Sequence, residues 1–171
     1  MQDEADEILS DLDTVQTWRT VIDSEPALAR TLTEDEFERA LTAVANFIDL
    51  KSPFTLVHST AVAQLVSAAG VQLGMSDAEV RTLRLAGLVH DFGRLGVSNT
   101  IWDKPGPLGV GEWERVRIHP YLTERMLHQS EALAPLAAIA VQHRERLDGS
   151  GYPRGLTAPT ISRAARLLAA A

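Results

Sequence analysis

Apolar residues recur along this chain at the spacing of helix faces, and no stretch alternates as a half-buried strand would. Between Ile8 and Ile22 the residues Ile8, Leu9, Leu12, Val15, Trp18 and Ile22 share one side, and "DSEP" ends the run. Thr33 with Glu36 forms a capping-box pattern ahead of a second helix, whose apolar face is Phe37, Leu41, Val44, Phe47 and Ile48. A third helix is predicted from about Pro53 to Leu73, carrying Leu56, Val57, Val62, Leu65, Val66 and Ala69. Ser76 with Glu79 opens a fourth that ends near His90. The following "DFGRLGVSNTIWDKPGPLGVG" is dense in Gly and Pro and breaks the periodicity, while Leu95, Val97, Ile101 and Trp102 mark it as a packed, functional loop. Helices are predicted again over Glu112 to His119, Tyr121 to His128 and Leu133 to Arg144. After the turn "LDGSGYPRGLTAP", the run "ISRAARLLAAA" stops in mid-pattern and reads as a cut helix. The expectation is an all-α bundle of about seven or eight helices, with an acidic helical segment over 1–50 packed on a core domain over 51–171 that is truncated at its C-terminal end.

Composition narrows what such a bundle can do. With 171 residues, 45% of them hydrophobic, the chain can bury one substantial core. Its net charge of −7 is concentrated at the start, where residues 1–40 hold 12 acidic side chains against 3 arginines. The rest is close to neutral, so the surface lacks the basic excess that direct nucleic-acid binding requires, and a small anionic ligand would have to be held locally. There is no cysteine. Disulfides and thiolate metal sites are therefore excluded, any metal must be held by His and carboxylate, and a reducing cytoplasm is the expected compartment. No apolar run is read as reaching the roughly 18 residues of a membrane span, and the acidic start is unlike a signal peptide, so no membrane association is expected.

Candidate chemistry begins with the histidines at 58, 90, 119, 128 and 143. Four of them fall on four separate predicted helices among apolar neighbours, where an unpaired ring is costly to bury. Convergence on shared ions would remove that cost. His128, in "LHQSE", reads as exposed and is left out. Asp91, directly after His90, adds a carboxylate whose two oxygens can bridge two ions. Two ions about 3.5 to 4 Å apart can clamp a phosphodiester and activate a water for in-line attack. His with carboxylate suits Fe, Mn, Co, Ni or Zn better than Ca or Mg, and the spacing does not choose among them.

"HDFGRLGV", "KPGPL", "WERVRIHP" and "HRERLDGSGYP" occur in the order and at the spacing of the HD-GYP domains, a subgroup of the HD phosphohydrolases, and the chain resembles them from about Lys51 to Ala171. The resemblance implies an all-helical HD-type bundle, two or three divalent metal ions, and hydrolysis of cyclic di-GMP to linear pGpG or GMP. It implies metal ligation by His58, His90, Asp91, His119 and His143, catalysis by Asp91 and Arg94, and phosphate contacts from Arg94, Lys104 and Arg146. The Gly151, Tyr152, Pro153 turn is expected to support the site and to offer a surface to a protein partner. Glu145 and Asp148 are expected to orient imidazoles or cap the loop. The preceding "SEP" and "FIDLKSP" resemble the segment before the HD-GYP half of longer actinobacterial-type regulators, some of which end in a helix-turn-helix.

The chain departs from the family pattern at several positions. Arg144 stands where a second tandem histidine would be, putting a fixed cation where a ligand is expected. Arg94 replaces a lysine, and Phe54 stands where some members carry a glutamate associated with a third ion, so at most two ions, Fe, Mn or similar, are expected. A later family aspartate is expected just beyond "ARLLAAA". Two functions follow: a metal-dependent phosphodiesterase acting on a cyclic dinucleotide, or a degenerate, non-catalytic signalling module that binds a nucleotide or a protein partner, with Arg144 as its best support.

Overall fold

The computed structural model describes residues 31–171 together with Val21, Ser24 and Glu25. Apart from Val21, the helix expected over Ile8 to Ile22 lies outside the described residues. The chain divides into two compact units, Met1–Phe37 and Glu38–Ala171. In the first, the capping box read from the sequence is present: the Glu36 carboxylate accepts from the Thr33 N–H at 3.0 Å, and the Glu36 N–H donates to the Thr33 hydroxyl at 3.3 Å.

Among the described residues there are eight α-helices, two 3-10 turns and no strand. The α-helices are α1 (Glu34–Asp49), α2 (His58–Gln72), α3 (Asp77–Val89), α4 (Asn99–Trp102), α5 (Val110–Arg117), α6 (His119–Leu127), α7 (Ala134–Ala140) and α8 (Arg163–Ala170). The 3-10 turns are Pro53–Thr55 and Phe92–Gly96. The main packing is α2 on α3, where Val62, Val66, Leu83 and Ala86 meet Leu168 of α8 in one buried cluster. Each Leu or Val sequestered in this way contributes about 1.5–3 kcal/mol relative to exposure. Helix α6 lies against the second 3-10 turn, and α7 packs on α3 and α6. This brings the ends of α3, α5 and α7 towards one another.

Several expected elements are redrawn. The buried stripe of α1 is Leu41, Ala45 and Ile48, while Val44 and Phe47 on its flank are exposed. The third expected helix is broken: Val57 takes a left-handed conformation, φ 63°, between the first 3-10 turn and α2. Just after the break the buried carboxylate of Asp49 accepts from both the backbone N–H and the hydroxyl of Ser59 at 2.8 Å, capping α2 from outside. His58 therefore begins a helix rather than lying inside one. Pro53–Gln72 also corrects the expectation about membrane spans, because with a mean hydropathy of 1.4 it is long and apolar enough by composition. In the fold it is interrupted at Val57, and Val62, Ala63 and Val66 are buried in the bundle core. Pro120, which cannot donate a backbone hydrogen bond, separates α5 from α6, so His119 opens α6 instead of closing α5. Helix α7 stops at Ala140, leaving His143 in the turn beyond it. The expected loop 91–111 is largely helical at first, with the 3-10 turn and then α4, which Ser98 caps through the Thr100 N–H.

Candidate metal centre

Three of the imidazoles are set by one local device. The last carbonyls of a helix have no partner within it, and a histidine three residues on can donate to one of them. His90 caps α3 and its Nδ1–H donates to the Gly87 carbonyl at 2.7 Å. His119, just past α5, does the same to Val116 at 2.6 Å, and His143, just past α7, to Ala140 at 2.7 Å. With the ring proton committed to Nδ1, the neutral imidazole presents a bare Nε2, which is the ligand form. All three Nε2 atoms turn towards Asp91, which is 1% exposed.

The two carboxylate oxygens of Asp91 face different partners. Oδ1 lies 3.4 Å from the Nε2 of both His119 and His143. Oδ2 lies 3.6 Å from His90 Nε2 and 3.8 Å from His58 Nε2. The result is two triads, His58, His90 and Asp91 on one side and Asp91, His119 and His143 on the other, each with ligand atoms within 4.8 Å of one another. Asp91 belongs to both. On the Oδ1 side the atoms do not satisfy each other: the His119 and His143 Nε2 atoms are 3.3 Å apart, and the buried Oδ1 has no hydrogen-bond partner. Three lone-pair donors pointing into one small space is the arrangement a divalent cation resolves, and nitrogen with carboxylate oxygen suits Fe, Mn or Zn. The residues present therefore fit the metal chemistry. On the Oδ2 side Arg94 Nη1 approaches at 3.2 Å, with its guanidinium 4.1 Å over the Trp102 ring, and Trp102 Nε1–H donates to the Arg94 carbonyl.

Burial sets the electrostatics. It pushes the His90 imidazolium down to about 4, against the opposing pull of Asp91. His143 is lowered for the same reason, with the charges of His119 and Arg144 acting in the same direction. Burial alone would raise the Asp91 carboxyl, but the imidazoles of His90, His119 and His143 outweigh it and hold the group well below the usual carboxylate range. Neutral imidazoles around an ionised acid are the protonation states that bind metal.

Two glycines let the backbone close around these groups. The Gly93 N–H donates to the Thr123 hydroxyl at 2.8 Å, and that hydroxyl is within 3.0 Å of the His90 carbonyl and 3.2 Å of the His119 carbonyl. A Cβ at Gly93 would overlap the His119 carbonyl oxygen, so "HDFG" requires glycine for the α3 end to meet α6. At Gly151 a Cβ would lie 2.6 Å from the Arg144 carbonyl oxygen and 2.5 Å from Glu145 Cα. The turn is folded tightly onto the segment after His143, and the Tyr152 N–H donates to the Arg144 carbonyl at 3.1 Å. Glu145, which is buried, accepts from the backbone N–H groups of Arg154 at 2.7 Å and Leu156 at 2.8 Å. Asp148 accepts from Ser150. Both acids thus cap this loop.

The structure brings His58, His90, Asp91, His119, His143 and Arg94 together. Lys104 is ion-paired with Glu112 at 2.6 Å. Arg146 and Arg144 line a cavity of about 620 Å³ that His143 also borders, and Arg144 is exposed there rather than inserted among the imidazoles. Phe54 is 83% exposed, and His128 is exposed outside the cluster. Asp49 and Thr123 position the site without having been singled out in the sequence, whereas Trp102 was read only as an apolar residue of a packed loop. Of these only Thr123, one helical turn after His119, carried a spacing that could have betrayed it.

An all-helical bundle with an adjacent His-Asp pair at the convergence of its helix ends has the build of an HD domain, and the chain belongs to that family, whose sequence model matches residues 42–171. Among curated proteins it is similar to 3′3′-cGAMP-specific phosphodiesterase 3 of Vibrio cholerae, 41% identical over 95% of this chain and 36% of the relative. It is also similar to a cyclic di-GMP phosphodiesterase of Pseudomonas aeruginosa, 40% identical over 73% of this chain and 31% of the relative. A cyclic di-GMP phosphodiesterase response regulator of Xanthomonas campestris is 31% identical over 81% of this chain and 37% of the relative. The chain spans about a third of the length of these relatives.

Proposed function

We propose that this chain is a metal-dependent phosphodiesterase domain of HD-GYP type that hydrolyses a cyclic dinucleotide in the cytoplasm, using two divalent ions, Fe, Mn or similar. The observation that carries the reading is the division of labour at Asp91, where each carboxylate oxygen faces its own pair of imidazoles. His58 and His90 would hold one ion with Oδ2, and His119 and His143 the other with Oδ1. Ions bound there supply Lewis acidity towards a phosphodiester and lower the pKa of water at its phosphorus. Hydrolysis breaks one P–O bond, the hydroxyl from water joins phosphorus, and the released ribose oxygen takes up the proton. Arg94, steadied by the Trp102 ring, is placed to exchange its contact with Asp91 for a substrate phosphate oxygen, a bidentate partner it suits. Tyr152 and Pro153 of the glycine turn border a second cavity of about 390 Å³, where a protein partner would dock.

A second reading, a non-catalytic module that binds a nucleotide, is favoured by Arg144, whose charge acts against a proton, and so against a cation, at His143. Metal analysis of protein purified without chelator, followed by turnover of cyclic di-GMP and 3′3′-cGAMP with added Mn or Fe, separates the two. Bound ions and a linear product are expected. Protein that stays metal-free and inert with both ions would overturn the proposal in favour of the binding module.

A further inference from the structure

The cavity beside the metal centre carries more positive charge than a single phosphodiester over two ions needs. Its wall includes Arg117 from α5 and Arg144 and Arg146 from the turn after α7, with Trp113 and Tyr152 beside them. Arg144 and Arg146 make no ion pair among the described residues, and Arg117 has only an exposed contact with Glu114 at 3.4 Å, of the kind that contributes little. The acid in the wall, Glu145, has its carboxylate turned into the loop, where two backbone N–H groups occupy it. The Arg117 guanidinium lies 5.7 Å from the Tyr152 ring centre, and the Tyr152 hydroxyl feels the charge of all three arginines. His143 belongs both to the lining of this cavity and to the Oδ1 side of Asp91, so the cavity borders one member of that triad.

We propose that Arg144, with Arg117 and Arg146, forms an anion site for the second, non-reacting phosphate of a cyclic dinucleotide, and that Trp113 or Tyr152 offers its face to the adjoining base. The proposal rests on the phosphodiesterase reading for the identity of the ligand, but its chemistry stands apart from the ions. A cyclic dinucleotide holds its two phosphates on opposite sides of one covalent ring. When one lies at Asp91, the arginine cavity is the wall on the His143 side that can receive the other. Guanidinium groups suit the bidentate demands of a phosphate, and an aromatic face accepts any base. Arg144 is then a selectivity residue: what the site forgoes in a second tandem imidazole it gains in affinity for a diphosphate ligand over a simple phosphodiester.

The test is calorimetric titration of the purified full chain with cyclic di-GMP and with GMP, for the wild type, Arg144→Gln, Arg144→Lys and Arg146→Gln, at two salt concentrations, with metal content measured in parallel. Arg144→Gln is expected to weaken cyclic di-GMP binding about tenfold to a hundredfold and to flatten its salt dependence. Arg144→Lys should recover part of that loss, and neither variant should retain less metal, because each keeps or lowers the charge beside His143. Binding by Arg144→Gln and Arg146→Gln that matches the wild type overturns the proposal, as does a wild type that binds neither ligand. Failure of the phosphodiesterase reading gives a different pattern: wild-type protein without ions or turnover of bis(p-nitrophenyl) phosphate, in which cyclic di-GMP still binds and the Arg144→Gln defect persists.

Discussion

Acidification of the metal-free protein tests the electrostatic description of the centre. His90 titrates at about 4 in the fold against 6.5 for a free imidazole, because it is buried at the end of α3. Between those values the unfolded chain binds a proton that the folded chain refuses, so stability is full above about pH 6.5 and falls as pH falls towards about 4. At about 1.4 kcal/mol per pH unit the whole window is worth about 3 kcal/mol, and the part between about pH 7.5 and about pH 5 is about 2 kcal/mol. His143 is lowered as well and adds in the same direction. Asp91, held below the carboxylate range, contributes only at still lower pH.

Urea unfolding in the presence of a chelator measures this directly. With a slope of about 2 kcal/mol per molar, the midpoint should drop by about 1 M urea between the two pH values. His90→Gln should remove most of the dependence, since Gln has no proton to refuse. A midpoint that stays level from about pH 7.5 to about pH 5 would refute the claim that burial keeps these imidazoles neutral. With Mn added, the same fall should steepen, because protons then also compete with the ion for Nε2.

Asp91→Asn removes the one residue shared by both triads, so metal analysis should show both ions lost together; a variant that retains one ion at full occupancy would show that the triads are independent. Thr123→Val keeps the shape of a fully buried side chain but leaves the Gly93 N–H without an acceptor, which should cost about 1–3 kcal/mol in urea unfolding, and no loss would mean that Gly93 finds another partner. Val57→Asn should raise stability by about 1 kcal/mol, because Val57 is exposed and asparagine tolerates its left-handed conformation better than a β-branched residue; a lower unfolding midpoint would place the strain elsewhere.

The all-helical class was legible because the apolar spacing of α1 and α3 and the caps at Thr33 and Ser76 act over a few residues, and local chemistry decides them. The breaks that matter to the site were harder to read. Val57 turns left-handed just before α2, which Asp49, 10 residues before Ser59, reaches across to cap, and neither residue advertises the contact. Leu133 to Arg144 looked like one helix because His143 continues its pattern, yet the chain leaves the helix at Ala140 so that His143 can donate back to its end.

The same device explains why the converging imidazoles were readable when Thr123 behind them was not. A histidine that caps the helix preceding it needs only three residues of sequence, and it leaves the ring nitrogen that matters pointing away from that helix. Three such caps, aimed by the packing of α3, α6 and α7, bring their Nε2 atoms to one carboxylate without any long-range hydrogen bond among the rings. Thr123 and Trp102 act across 8 to 33 residues of chain, through contacts that only the fold creates, whereas the loop-capping role of Glu145 was among the expectations. The orphaned Oδ1 of Asp91 follows from this arrangement: the Nδ1 atom of each of the three caps is spent on backbone, so what faces Oδ1 at the centre is a set of lone pairs that do not satisfy one another.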